Sequence, residues 1–334
     1  MSEVHLSIDD VRSLTLDALV GSGTSQSSAE VVTRSIVASE LDGIHSHGLA
    51  RLPTYCEHVK CGKLDGTAVP AVKQLSAGAW QADTRGGFAH PAIELGFEHL
   101  ISAAGSNGIA SLAVINSYNC GVLGYHVEAL ARSSLVGLGF TNAPASIAPF
   151  GGLTPLFGTN PIACAIPDGK GHAAVVVDQS SSVVAKSELI VHKANRETIP
   201  EGWALDARGQ STTDPGEGLE GSMVPAGGYK GAGLALIVEL MAAVLTGATL
   251  SKNASSFADN TGGHPRTGQF FIAIDPALYS GDMFYKQLEE LLQAILSQQG
   301  ARIPGSGRFA ARDRIARDGI YIAAALHDRI RSYC

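Results

Sequence analysis

An α/β fold, with a helical leader beside a layer of alternating helices and strands, is what this 334-residue chain predicts. Apolar residues recur with helical period up to about Lys63, and helix and strand patterns then alternate from Ala79 to Asp178. No glycine-rich turn stands between a strand and a helix, as a Rossmann dinucleotide site would require. With 45% hydrophobic and 16% charged residues, the chain can bury a large core and suits two domains or one elaborated domain.

The first helix is signalled by Ser7 with Asp10 three residues on, then Val11, Leu14 and Leu19, and is closed by Gly21. Ser27 and Glu30 have the spacing of a second capping box, ahead of Val31, Val32, Ile36, Val37 and Leu41, with Gly43 as the stop. Pro53 suits the first turn of a third helix carrying Tyr55 and Val59. Gly66 and Pro70 interrupt the periodicity and put a boundary near residues 65 to 75. Beyond it come a strand at Ala79 to Ala82, a helix from Pro91 to Ala104, a strand at Ile109 to Ile115, a helix from Val122 to Arg132 and a strand at Leu135 to Phe140. A Gly- and Pro-rich passage, Ala145 to Pro161, has the length and composition of a site-lining loop and leads to strands at Ile162 to Ile166 and Ala173 to Asp178.

Composition narrows the partners. A formal charge of −7 and the lack of clustered Lys and Arg argue against nucleic acid and for a small molecule. The longest apolar run, Leu234 to Leu245, contains Glu239 and is too short to span a bilayer, and no leader pattern opens the chain, so a cytoplasmic protein is expected. Five scattered cysteines without CxxC spacing indicate reduced thiols, with neither a disulfide framework nor a metal site.

The most chemical stretch is Asp42-Gly43-Ile44-His45-Ser46-His47-Gly48-Leu49-Ala50-Arg51-Leu52-Pro53, which sets two imidazoles, a hydroxyl and a guanidinium on an inter-helix connection. An isolated His-x-His is more often a surface or capping pair than a catalytic one, so the stretch needs support from elsewhere. Gly21-Ser22-Gly23 follows a helix and fails as a dinucleotide fingerprint. Gly228-Tyr229-Lys230-Gly231-Ala232-Gly233 opens an apolar helix. It reads either as a phosphate-receiving N-terminus or as a turn packed close to a neighbour.

Taken together, the His45-Ser46-His47-Gly48 stretch with Arg51-Leu52-Pro53, then Leu156-Phe157-Gly158-Thr159-Asn160-Pro161, Gly227-Gly228-Tyr229-Lys230-Gly231 and Thr267-Gly268-Gln269 resemble the successive motifs of the malate/L-lactate dehydrogenase-like family. The match runs from about residue 7 to 330. It is most similar to the branch of cyclic imine reductases acting on Δ1-pyrroline- and Δ1-piperideine-2-carboxylate. The resemblance implies a non-Rossmann, mixed-sheet cofactor domain over residues 73–225 beside a largely helical domain of residues 1–72 and 226–334. It also implies a homodimer and NADPH, with NADH as the alternative cofactor. The implied substrate is a cyclic imino acid, reduced to L-proline or L-pipecolate. A 2-oxo acid reduced by a 2-hydroxy-acid dehydrogenase is the nearest alternative, and a non-enzymatic ligand-binding relative the more distant one.

By the same resemblance, His47 is the proton donor, with Ser46 behind it linked to an acidic residue placed at Glu188. Arg51 holds the substrate carboxylate, and Thr159 touches the substrate. Cofactor contacts are implied for Asn119, Cys120, Gly121, Val122 and Leu123, for Asp178, Gln179 and Ser180, for Tyr229 and Lys230, and for Gly305 and Arg308. Asn119 stands where many members have histidine, and Glu188 where the imine-reductase pattern has aspartate. Glu188 also reads as a solvated residue of a helix from Lys186 to Lys193.

The residue types suit the chemistry. Hydride delivered to C2 of a 2-oxo or 2-imino acid requires a proton on the neighbouring oxygen or nitrogen, which histidine can manage near neutral pH. A planar guanidinium grips a carboxylate through two parallel hydrogen bonds and fixes the face that the substrate presents.

Overall fold

The computed structural model describes residues 2–334. An N-terminal layer comprises β1 (Glu3–Leu6), α1 (Ile8–Gly21), α2 (Gln26–Leu41) and α3 (Leu52–Lys60). The expected capping box of α1 forms, with Asp10 N–H donating to Ser7 Oγ at 3.1 Å and Ser7 N–H to Asp10 Oδ2 at 2.9 Å. In α2 the cap is Ser25 and not Ser27. The Ser25 amide is pinned to the Gly66 carbonyl at 3.0 Å, which starts the helix two residues early, and Glu30 bonds to Gln26 instead.

The sheet region follows with β2 (Ala71–Ser76), β3 (Ala79–Asp83), α4 (Ala89–Asn107), β4 (Ile109–Ser117), α5 (Leu123–Arg132), β5 (Val136–Thr141), β6 (Ile162–Pro167) and β7 (Ala173–Gln179). A small lobe holds α6 (Lys186–Asn195), β8 (Ala204–Leu205), β9 (Ser211–Thr212), α7 (Pro215–Glu220) and β10 (Ser222–Met223). The chain continues through α8 (Tyr229–Glu239), a π-helical turn at Leu240–Val244, and β11 (Thr267–Ile274). It ends with α9 (Ala277–Ser280), α10 (Met283–Leu296), α11 (Ser306–Asp318), β12 (Ile320–Ala323) and α12 (Ala324–Arg331).

Seven strands form one sheet in the order β2-β3-β4-β11-β5-β6-β7. Only β3 and β4 pair in parallel, across α4; every other neighbour is antiparallel. The sheet is therefore mixed and lacks the run of parallel crossovers of a doubly wound nucleotide fold. Helices α4 and α5 cover one face through Ile93, Phe97, Leu100, Val127 and Leu130. Val238 and Ala242 cover Phe140 and Phe270 on the other.

The segment from 226 to 334 does not stay with the helical part as expected. Its strand β11 lies in the middle of the sheet, because buried Phe270, Phe271 and Ala273 need cover on both faces. The rest of that segment does return to the leader: Ile315, Ile320, Ile322 and Ile330 share a core with Val11, Leu19, Ile36 and Tyr55. β12 pairs with β1. No helix among the described residues is long and apolar enough to cross a membrane.

Candidate active site

Helix α2 ends at Gly43 (φ +72°), and two short 3-10 turns, His45–His47 and Leu49–Arg51, lead straight into α3. This places Ser46, His47 and Arg51 on one compact turn held between two packed helices. The Ser46 hydroxyl bonds to His47 Nδ1 at 3.0 Å, which leaves Nε2 for a substrate. Arg51 Nε is buried and has no hydrogen-bond partner, the state expected of a guanidinium that awaits an anion. Burial first, and then the Arg51 charge, push the His47 imidazolium pKa down to about 4, so the ring is neutral at physiological pH.

Asn119, two residues beyond β4, is tied to the start of α3 through Tyr55. Its Oδ1 accepts from Tyr55 O–H and from the Gly121 amide, both at 2.8 Å, so the side chain's remaining donor is its NH2. Burial raises the Tyr55 phenol well above its ordinary range and keeps it protonated. Behind it, Tyr118 O–H donates to His58 Nδ1, and His58 Nε2 meets the Asp259 carbonyl at 2.9 Å. Buried Lys63 fixes the same loop by donating to the carbonyls of Ser256, Asp259 and Thr261 at 2.5 to 2.8 Å. Sequence reasoning missed Tyr55, Tyr118, His58 and Lys63 as site supports, since nothing in their spacing marks residues that meet only after packing.

The expected cofactor residues fall into two groups. In the first, Asp178 at the end of β7 accepts from the Gly124 amide at 2.9 Å and lies 3.5 Å from Arg308, which also faces Asp42 at 3.8 Å. Burial pushes the Asp178 carboxyl up, against the pull of Gly124 N–H and Arg308. Arg308 Nη1, in the first turn of α11 after Gly305, is buried with Asp42 at 3.8 Å and no hydrogen bond, so it keeps a donor that a phosphate of a dinucleotide would engage. Val122 caps α5 and Leu123 opens it. The Cys120 carbonyl accepts from His126 Nε2 at 2.8 Å, while burial pushes the Cys120 thiol up to about 12 and leaves it unreactive. Gln179 ends the β6–β7 ladder opposite Ile162, and Ser180 bonds to Ser182 at 3.1 Å.

In the second group, Tyr229 and Lys230 are exposed at the start of α8, and Thr159 precedes Asn160. Asn160 ties the two together: its Nδ2 donates to Glu239 Oε2 at 2.8 Å and to the Ala235 carbonyl at 3.0 Å, both on α8. No hydrogen bond among the described residues joins Thr159, Tyr229 or Lys230 to His47 or Arg51. Nor does one join Ser46 to Glu188. Glu188 sits in the first turn of α6, a helix held in the small lobe by Leu189 packing on Ile199 and Ala204, and the Ser46 hydroxyl bonds to His47 Nδ1. Lys186, in the same turn, bonds to Ser146 Oγ at 3.2 Å.

Two buried histidines support the Asn119 segment from below. Desolvation depresses His90 to about 3 and His126 to about 4, so both are neutral in the folded chain. Each takes up a proton more readily when unfolded, where the pKa is roughly 6.5. Stability is therefore fully present above about pH 6.5 and falls as pH drops toward the folded values, by on the order of 3 kcal/mol for His126 alone. Urea melts from pH 7.5 to 4.5 should show this decline, and His126→Gln should flatten it; a curve unchanged by the substitution would locate the sensitivity in other groups.

Residues 6–331 match the family model of malate/L-lactate dehydrogenase. The chain is 42% identical to the (2R)-3-sulfolactate dehydrogenase (NADP(+)) of Chromohalobacter salexigens, over 98% of this chain and 97% of that one. It is 38% identical to Delta(1)-pyrroline-2-carboxylate reductase 1 of Burkholderia ambifaria, covering 99% and 97%. The crystal structure of delta1-piperideine-2-carboxylate reductase from Pseudomonas syringae superposes with a TM-score of 0.93 at 34% identity, covering 99% and 100%. A mixed sheet without Rossmann crossovers, a Ser-His pair beside an unpartnered arginine, and these matches along the whole length agree: the chain belongs to the malate/L-lactate dehydrogenase family of NAD(P)H-dependent oxidoreductases.

Proposed function

We propose that the protein reduces a cyclic 2-imino acid, Δ1-pyrroline-2-carboxylate or Δ1-piperideine-2-carboxylate, with NADPH. The observation that carries this reading is the neutral His47 beside the unpartnered Arg51. A neutral imidazole is a poor acid for a ketone, but it is well suited to share the ring-nitrogen proton of an iminium. When bound, NADPH supplies the hydride. Arg51 holds the substrate carboxylate, and that negative charge offsets the repulsion that Arg51 exerts on His47. His47 Nε2 then holds the proton at the imine nitrogen. The Ser46 hydroxyl can donate to Nδ1 or accept from it, so it supports either tautomer. Asn119, bonded to Tyr55 of α3, offers its NH2 as a further neutral donor. Arg308 would hold a cofactor phosphate.

The second reading is a 2-hydroxy-acid dehydrogenase, which the 42% identity to a sulfolactate enzyme favours. A panel of cyclic imino acids and 2-oxo acids, 3-sulfopyruvate included, each run with NADPH and NADH, ranks the two. We read the enzyme as a homodimer, in keeping with its family and with the apolar side chains that α8 and the following turn expose: Leu236, Ile237, Leu240, Val244 and Leu245. Free thiols at all five cysteines suit the cytoplasm.

Arg51→Lys should raise KM for the carboxylate substrate roughly tenfold with little change in melting temperature, because a point charge replaces a fork that binds two oxygens. Steady-state kinetics on the preferred substrate provide the check; an unchanged KM moves the carboxylate site elsewhere.

A further inference from the structure

The turn that carries Ser46 and His47 is built over a carboxylate that the reaction does not use. Glu40, in the last turn of α2, is 1% exposed. One of its oxygens accepts the Leu49 amide at 2.6 Å, and the other pairs with His45 Nδ1. Its two partners are the residues on either side of Ser46-His47-Gly48. The carboxylate thus closes the turn like a strap, while the His47 ring is bonded to Ser46 and not to Glu40. Gly48 belongs to the same arrangement, since a methyl group at that position would overlap the Glu40 carboxylate.

Helix α2 is a rigid base for this strap. Val32, Ile36 and Val37 are buried in the leader core, and Asp42 at its end is bound by Arg312 at 2.5 and 3.2 Å, which in turn grips Glu128 of α5 at 2.6 Å. The position of Glu40 is therefore set by the fold and not by the turn it holds. A buried carboxylate with two such partners is costly to leave half satisfied, so the turn has one geometry that keeps both bonds.

We propose that Glu40 is the positioning residue of the site: by bridging the His45 ring and the Leu49 amide, it sets the aim of His47 at the substrate. The inference rests on the reading of His47 as the proton-holding group. It predicts a loss in kcat without a loss in cofactor binding, since none of the groups expected to touch NADPH lies on this turn.

The test uses the full-length enzyme and four readouts: kcat, KM for the preferred imino or oxo acid, NADPH Kd from nucleotide fluorescence, and exchange of the Leu49 amide. Glu40→Ala should lower kcat by at least about tenfold, leave NADPH Kd unchanged and speed Leu49 exchange. Glu40→Gln keeps an oxygen for the Leu49 amide and should restore kcat to within about threefold of wild type. Wild-type kcat in folded Glu40→Ala overturns the proposal, as does an equal loss of kcat and NADPH affinity in both variants. If Glu40→Ala does not fold, Gly48→Ala pushes a methyl group against the same carboxylate and should give the same split; wild-type kcat there overturns it. His47→Ala run alongside separates the two ideas. Full turnover in that variant ends the His47 reading, whereas a dead His47→Ala beside an active Glu40→Ala ends only the role of Glu40.

Discussion

His47→Ala is expected to lower kcat by roughly 10²-fold or more, about 3 kcal/mol of transition-state stabilisation, while NADPH Kd stays where it was. The ring sits beside Arg51, whose buried Nε has no partner, and its Nδ1 is already taken by Ser46, so Nε2 remains for chemistry. In the free enzyme its pKa is about 4, lowered by burial and then by the Arg51 charge. A bound carboxylate offsets that charge and lifts the pKa, so substrate binding and proton uptake are linked. Losing the ring should therefore cost more at pH 8.5 than at pH 6, where the free imine is already protonated in part. Turnover of His47→Ala near the wild-type value across that range would remove His47 from the reaction.

The parts of the site that rest on local chemistry can be read directly from the residues. Ser7 and Asp10 cap α1 as their spacing demands, Gly43 ends α2, and Pro53 enters α3, so the His47 turn is an inter-helix connection as expected. Long-range pairing is what the residues do not announce. The run Phe270-Phe271-Ile272-Ala273-Ile274 has a strand's composition, but its place between β4 and β5 depends on partners far away in the chain. Ser27 looks as good a cap as Ser25 until the Gly66 carbonyl is seen to hold the Ser25 amide. Glu40 and Gly48 gave no sign of acting as a unit, because the close approach of carboxylate to backbone exists only once the turn has formed. The link between Ser46 and Glu188 rests on a family pattern that names residue types, and Glu188 lies in a lobe held by Leu189 and its own small core, with no hydrogen bond to Ser46 among the described residues.

Discrimination between imine and ketone is the second large effect, and it follows from what the site lacks. A cyclic imine with a pKa near neutrality can arrive as an iminium and accept hydride with its proton already in place, whereas a ketone needs a strong acid or a charged donor as oxygen gathers charge. Here the imidazole is neutral in the free enzyme, and Asn119, bonded to Tyr55 of α3, has its Oδ1 occupied by Tyr55 and Gly121 and an NH2 that carries no charge. Arg51 is the cation at hand, and the carboxylate claims it. We therefore expect kcat/KM for Δ1-pyrroline-2-carboxylate or Δ1-piperideine-2-carboxylate to exceed that for pyruvate, oxaloacetate or 3-sulfopyruvate by at least about 10²-fold, nearly 3 kcal/mol. Asn119→His, which restores an ionisable donor, should narrow the gap by improving the ketone more than the imine. Equal efficiency on a ketone and on the cyclic imines in the wild-type enzyme would overturn the imine reading and leave the hydroxy-acid dehydrogenase in its place.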